Sequence, residues 1–143
     1  RSFFNAQEIK AWSTSDESGQ DKKQNTITHK NVEETAQKLL QNCKRNAKIR
    51  GSECTIDKYV IINLLIQSEF KCNVTGVKLI IKSEEQSKER HPWSASIDRI
   101  DSSIGYTKEN CRITCLAANL AMSTWGEKVL IKMAKSIALK HSK

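Results

Sequence analysis

The chain has 143 residues, 38% of them apolar, which suits one small domain with an appended arm. Its longest apolar stretch, Tyr59 to Ile66, is broken by Asn63 and far too short to cross a bilayer, so no membrane partner is expected. The net charge of +8 favours a polyanionic partner such as DNA or RNA.

Residues 1–30 read as a polar arm, and 31–143 as the folded unit. Ser13 to Thr28 is rich in Ser, Gln, Asp and Lys and has no apolar periodicity, so it should not fold alone. Either a short helix around Ala6–Trp12 docks, or a partner orders the arm. The chain begins at Arg1 rather than Met and carries no secretory signal, which reads as a fragment or a processed chain. Five cysteines, Cys43, Cys54, Cys72, Cys111 and Cys115, make an odd count. Reduced thiols in an intracellular compartment are expected, in the cytoplasm or, for a processed import, an organelle matrix.

A helix is predicted from Asn31, where Asn31-Val-Glu-Glu34 has capping-box spacing. Val32, Ala36, Leu39, Leu40, Cys43 and Ala47 share one face of it, and Gly51 ends it. Lys38, Lys44, Arg45 and Lys48 lie on the opposite face, and with Arg50 the segment 44–50 holds four cations and no acid. This face is either solvated or in contact with phosphates. A second helix follows over Ile56–Gln67 with Thr55 as cap; Tyr59, Val60, Ile62, Leu65 and Ile66 make it a core element. Cys72-Asn-Val-Thr-Gly76 forms a turn, Val77–Ile81 a strand and Lys82–His91 a charged loop. Ser94–Ile100 is a strand with Ala95, Ile97 and Arg99 alternating against Ser96 and Asp98. Asp101–Gly105 is a loop, Cys111–Cys115 a strand, Leu116–Thr124 a helix and Glu127–Leu139 a last helix. Val129, Leu130, Met133 and Ile137 share a face of that last helix, while Lys128, Lys132 and Lys135 add cations. It lacks the bulky aromatic anchors of a membrane-surface helix.

The order strand, loop, strand, helix places Asp98 near a strand end and Asn119 in the first turn of a helix, so that two oxygen ligands can meet at one point. Such a pair suits a hard divalent cation, Mg²⁺ or Mn²⁺, one per chain, that keeps most of its waters. One carboxylate with one amide leaves positive charge on the ion for the substrate.

The run Ser96-Ile-Asp-Arg-Ile-Asp-Ser-Ser-Ile-Gly-Tyr106, with Asn110 and the Asn119-bearing helix, resembles the HNH or ββα-metal endonucleases, especially a phage-type Asp-Arg-Ile-Asp subgroup. Asn42–Gly51, Cys72–Leu79 and His91-Pro-Trp-Ser94 extend the likeness over about residues 36–126. It implies an α+β fold: a ββα-metal core at about 94–124, with preceding helices and a C-terminal helix. It also implies metal-dependent hydrolysis of phosphodiester bonds, in DNA ahead of RNA. Asp98 and Asn119 take the metal-ligand positions. Asn110 matches the residue that ties the loop to the site, although a simple turn Asn would look the same. Arg99 stands where most of the family has the His that serves as general base. Arg stays protonated at ordinary pH and instead suits a phosphate clamp. His91 and Tyr106 are the candidate bases in its place, His91 having the plainer reading of a loop residue beside Pro92. Phosphate contacts are expected from Lys44, Arg45, Lys48, Arg50, Arg99, Lys128 and Lys132. Many relatives bind a structural zinc through two Cys-x-x-Cys pairs. The matching positions here are Cys72, Thr75, Cys115 and Ala118, so no structural zinc is expected and Cys72 should pack against Cys115. The alternative function is an inactive HNH-like domain serving as a nucleic-acid-binding subunit of a larger ribonucleoprotein assembly. A homodimer would let the single site cut both strands.

Overall fold

The computed structural model describes residues 27–81 and 90–142. The expected helix at Ala6–Trp12, the arm up to residue 26 and the loop 82–89 lie outside the described residues.

The first helix, α1 (His29–Arg50), starts before Asn31. Thr28 is the cap: its Oγ1 accepts the Asn31 amide at 3.1 Å, and its carbonyl accepts the Val32 amide at 3.0 Å. The hydroxyl of Thr28 takes the amide of Asn31, so Asn31 is the third helical residue and not the cap. Ile27 is buried, and His29 and Lys30 form the first turn of the helix. All six apolar residues assigned to the inner face of α1 are buried. Gly51 closes the helix at φ 65°, donating to the carbonyls of Ala47 and Lys48.

The second helix, α2 (Lys58–Gln67), is capped by Asp57 and not Thr55. Asp57 Oδ1 accepts the amides of Tyr59 and Val60 at 2.9 and 3.0 Å, and its charge favours a helix N-terminus. The chain then turns through Glu69 and Phe70 at φ 55° and 58°, a region costly for side-chain-bearing residues, and buries Phe70 in the core. The strand expected over Val77–Ile81 does not form. Its backbone divides its hydrogen bonds among unlike partners, Leu79 to Phe70 and Ile80 to Trp93, so only isolated bridges at Lys71–Lys78 and Ile80–Ser94 result.

Two antiparallel strands, β1 (Ala95–Arg99) and β2 (Cys111–Cys115), make the sheet, with Asp98 opposite Arg112. β2 runs directly into α3 (Leu116–Met122), and a turn leads to α4 (Glu127–His141). α1 packs on α2 and β1, α2 on β2, and α3 on both strands. The result is an α+β fold with helices on both sides of a two-stranded sheet. Ile113, Ile61, Leu65 and Phe70 fill the centre. The apolar face expected on the last helix is not a core face: α4 has no buried residue, and only Leu130 packs partly against the core.

Cys43, Cys54 and Cys111 lie near one another in this core. Burial, with the neighbouring thiols adding to it, pushes Cys43 and Cys111 each up to about 12. The raised value means that the fold favours the neutral thiol. Below pH ~9 folded and unfolded chains both keep the protons. Above it the unfolded chain releases them first, so stability falls as pH climbs towards 12, by at most about 1.4 kcal/mol per pH unit and thiol. Urea unfolding between pH 8.5 and 10.5 should show this decline. A decline no shallower in a Cys43→Ala/Cys111→Ala double variant would refute the assignment.

Candidate active site

Alternation along β1 sends Ser96 and Asp98 to one side of the hairpin. Asp98 is buried, and its Oδ2 accepts from Arg112 Nε at 2.8 Å. Arg112 also donates from Nη1 to Glu127 Oε2 at 3.2 Å and from Nη2 to Met122 Sδ at 3.5 Å. Burial disfavours the charged guanidinium, but the Asp98 and Glu127 carboxylates outweigh it and hold the Arg112 pKa above the ordinary value. Neither periodicity nor motif spacing in the sequence gives Arg112 a role. Its one signal was a cation that a correct hairpin register sets across from Asp98.

The loop between the strands is organised by a single amide. Asn110 is buried; its Oδ1 accepts the Asp101 amide at 2.8 Å. Its Nδ2 donates to the carbonyls of Asp101, Ile104 and Gly105 at 3.0, 3.3 and 2.9 Å, and its own carbonyl accepts the Ile100 amide at 2.9 Å. Asp101 faces solvent and accepts the Ser103 hydroxyl and amide at 2.6 and 2.9 Å, bonds that hold its carboxyl below the ordinary range. Gly105 abuts the Glu53 backbone so closely that a Cβ there would collide with the Glu53 carbonyl. That approach lets Tyr106 donate its amide to Glu53 and accept the Thr55 amide, each at 2.9 Å, which stitches the α1–α2 connection onto the loop.

Arg99 folds back over this loop. Its Nη1 donates to the carbonyls of Ser102 and Ile104 at 2.8 and 3.1 Å, and the guanidinium sits 5.5 Å from the Tyr106 ring centre. Asn119, on α3, donates from Nδ2 to Ser96 Oγ at 2.7 Å and to the Ile97 carbonyl at 3.2 Å. Those bonds fix the amide orientation and leave Oδ1 as the ligand-competent end.

Asp98, Arg99, Tyr106 and Asn119 line one cleft of about 750 Å³, walled on its far side by α1. Lys38, Asn42, Arg45 and Asn46 recur at helical spacing along that wall, and Arg50 and Arg90 complete its basic lining. Of the predicted phosphate-binding residues, Arg45, Arg50 and Arg99 therefore reach the cleft, whereas Lys44, Lys48, Lys128 and Lys132 do not line it. Lys44 and Lys48 sit on α1 turned away from the stripe, a distinction that proximity in sequence hid. His91 is not in the lining either: its Nδ1 accepts the Trp93 amide at 3.2 Å within its own turn.

Among the described residues no three His, Cys, Asp or Glu side chains converge as metal ligands. The donor set at the cleft is one carboxylate oxygen and one amide oxygen, which fits an oxygen-preferring ion that retains waters and takes further ligands from a phosphate. Cys72 and Cys115 meet on the other side of the hairpin, both buried. The Thr75 amide donates to Cys72 Sγ at 3.4 Å. Burial opposes ionisation of Cys72, yet hydrogen bonds from Thr75 and neighbouring amides outweigh it and draw its pKa down; burial pushes Cys115 up.

No family model matches the chain, and no curated protein matches it in sequence. In three dimensions it is similar to the solved structure of the rare-cutting HNH restriction endonuclease PacI, with a TM-score of 0.53 and 19% identity over 80% of each chain. The likeness is one of fold, and this chain's two-stranded sheet with helices on both sides is consistent with an HNH ββα arrangement in an α+β frame.

Replacing Asn110 by Ala should unseat the loop. Each buried backbone group it leaves unpaired costs about 1–3 kcal/mol. Thermal melting should therefore show a clear drop, and a melt identical to wild type would show that the loop holds itself.

Proposed function

We propose that the chain is a metal-dependent endonuclease that hydrolyses phosphodiester bonds, with DNA as substrate. The observation that carries this reading is that Asp98 and Asn119 open onto one cleft whose walls bring Lys38, Arg45, Arg50, Arg90 and Arg99 together. A nucleic-acid backbone supplies the matching anion at every step, and these cations would supply most of the affinity, with strong salt dependence.

Asp98 Oδ1 and Asn119 Oδ1 would hold one Mg²⁺ or Mn²⁺. Such an ion polarises the scissile phosphate and lowers the pKa of a bound water. Arg99 keeps Nε and Nη2 uncommitted by the two loop carbonyls, and would direct them at a non-bridging phosphate oxygen, whose charge grows as water attacks phosphorus. Arg99 cannot take the proton of that water. Of the two candidates, Tyr106 lines the cleft and His91 does not, so Tyr106 would accept a hydrogen bond from that water and orient it, the proton passing to solvent.

The competing reading is a domain that binds nucleic acid without cutting it. It draws on Arg99, whose guanidinium is engaged by its own loop. Supercoiled plasmid separates the two. Nicking is expected with Mg²⁺ or Mn²⁺ and should stop with chelator. Asp98→Ala should bring nicking to background while DNA affinity stays within about tenfold, since phosphate contacts elsewhere carry binding. Tyr106→Phe should slow nicking without changing affinity. Wild-type protein that retards DNA or RNA in gels but cuts neither with any divalent ion would establish the binding-only reading.

A further inference from the structure

We propose that Arg112 is a positioning residue for the Asp98 carboxylate, and that Glu127 at the start of α4 sets Arg112 in turn. The inference rests on the reading of Asp98 as a metal ligand. It adds two residues, one of them on another element, that decide how that ligand is presented.

The geometry is specific. Asp98 and Arg112 are direct cross-strand partners, so their side chains leave the hairpin on the same face. The Nε–Oδ2 bond at 2.8 Å joins two well-buried side chains, 18% and 10% exposed. A short, charge-assisted bond in such a place holds a rotamer firmly. All three guanidinium nitrogens are engaged inside the protein, by Asp98, Glu127 and Met122. Arg112 does not line the cleft, so it differs in kind from Arg99, Arg45 and Arg50, which do.

Two consequences for a bound cation follow. With Oδ2 engaged by Arg112, only Oδ1 is left to coordinate, which makes Asp98 a one-oxygen ligand. That suits Mg²⁺, whose octahedral shell tolerates little distortion and does not favour a bidentate carboxylate. The charge of Arg112 alone would also repel the ion. Glu127 offsets it: one Arg between two carboxylates leaves the trio with a net charge of −1, the charge of a lone aspartate. Hydrogen-bond partners of a metal-binding carboxylate commonly alter metal affinity by about 10–100-fold when removed.

The test is Mn²⁺ binding to the full chain, followed by the loss of the free-ion signal in electron paramagnetic resonance, so that it does not depend on cleavage. Wild-type protein should take up one ion, lost in Asp98→Ala. Arg112→Met should weaken uptake about 10–100-fold. Arg112→Lys should recover part of the loss, because a lysine can reach Asp98 but cannot hold Asp98 and Glu127 together. Glu127→Gln should weaken binding less, and the loss in the double variant with Arg112→Met should fall clearly short of the sum of the two. A folded Arg112→Met protein with wild-type affinity would overturn the proposal. Should Arg112→Met fail to fold, unchanged affinity in both Arg112→Lys and Glu127→Gln would do the same. Additive losses from Glu127 and Arg112 would overturn the relay. Wild-type protein that takes up no Mn²⁺ removes the metal reading of Asp98, and this proposal with it. Normal uptake indifferent to residues 112 and 127 removes this proposal alone.

Discussion

The Asn110 carboxamide joins Asp101, Ile104 and Gly105, while the Asn110 carbonyl takes the amide of Ile100; together they close the loop between the two strands. Everything at the site depends on that closure, because loop length fixes strand register. A slip of one residue would exchange the two faces of β1, turning Asp98 away from the cleft and Ile97 out of the core. In the register observed, Asp98 faces Arg112, and Ser96 stands where Asn119 can donate to it. A buried amide suits this task because it is both donor and acceptor, and stays neutral at any pH the protein meets.

Sequence periodicity revealed those parts of the fold whose partners are close in the chain. β2 occupies Cys111–Cys115 as read, β1 is one residue shorter at each end, and the six-residue core stripe of α1 is complete. Misreadings arose where a choice among neighbours depended on three-dimensional context. Thr28 and Asp57 cap helices assigned to Asn31 and Thr55, since each stretch holds two cap-forming residues within three positions and only the backbone decides which of them precedes the first turn. Val77–Ile81 has strand-like composition but meets no continuous partner. The cation cluster at 44–50 was visible as charge, yet only the helical phase of α1 separates Arg45 from Lys44 and Lys48. Arg112 was hidden for a related reason: its meaning lies in a register that spacing alone does not give.

The five thiols divide between two places. Cys43, Cys54 and Cys111 lie near one another, where burial keeps Cys43 and Cys111 protonated and makes them behave as small apolar side chains. Cys72 and Cys115 differ from each other. The turn from Cys72 to Gly76 aims its Thr75 amide at sulfur, a surrounding that favours thiolate, while Cys115 remains under burial. Cys111 and Cys115 are both buried, but their neighbours are separate: Cys111 lies towards Cys54, Cys115 towards Cys72.

α4 spans 15 residues without burying one of them, so its hold on the domain is unlike that of any other helix among the described residues. A segment with so little buried area opens by local unfolding at far lower free energy than the core needs. Its amides should then exchange with solvent hydrogen through detachment of the helix alone, while α1, α2 and the hairpin stay closed. On that argument the domain should open as two units of unequal strength, and the Glu127–Arg112 pair joins α4 to the hairpin. Whatever grips or releases α4 therefore acts on a carboxylate it never touches.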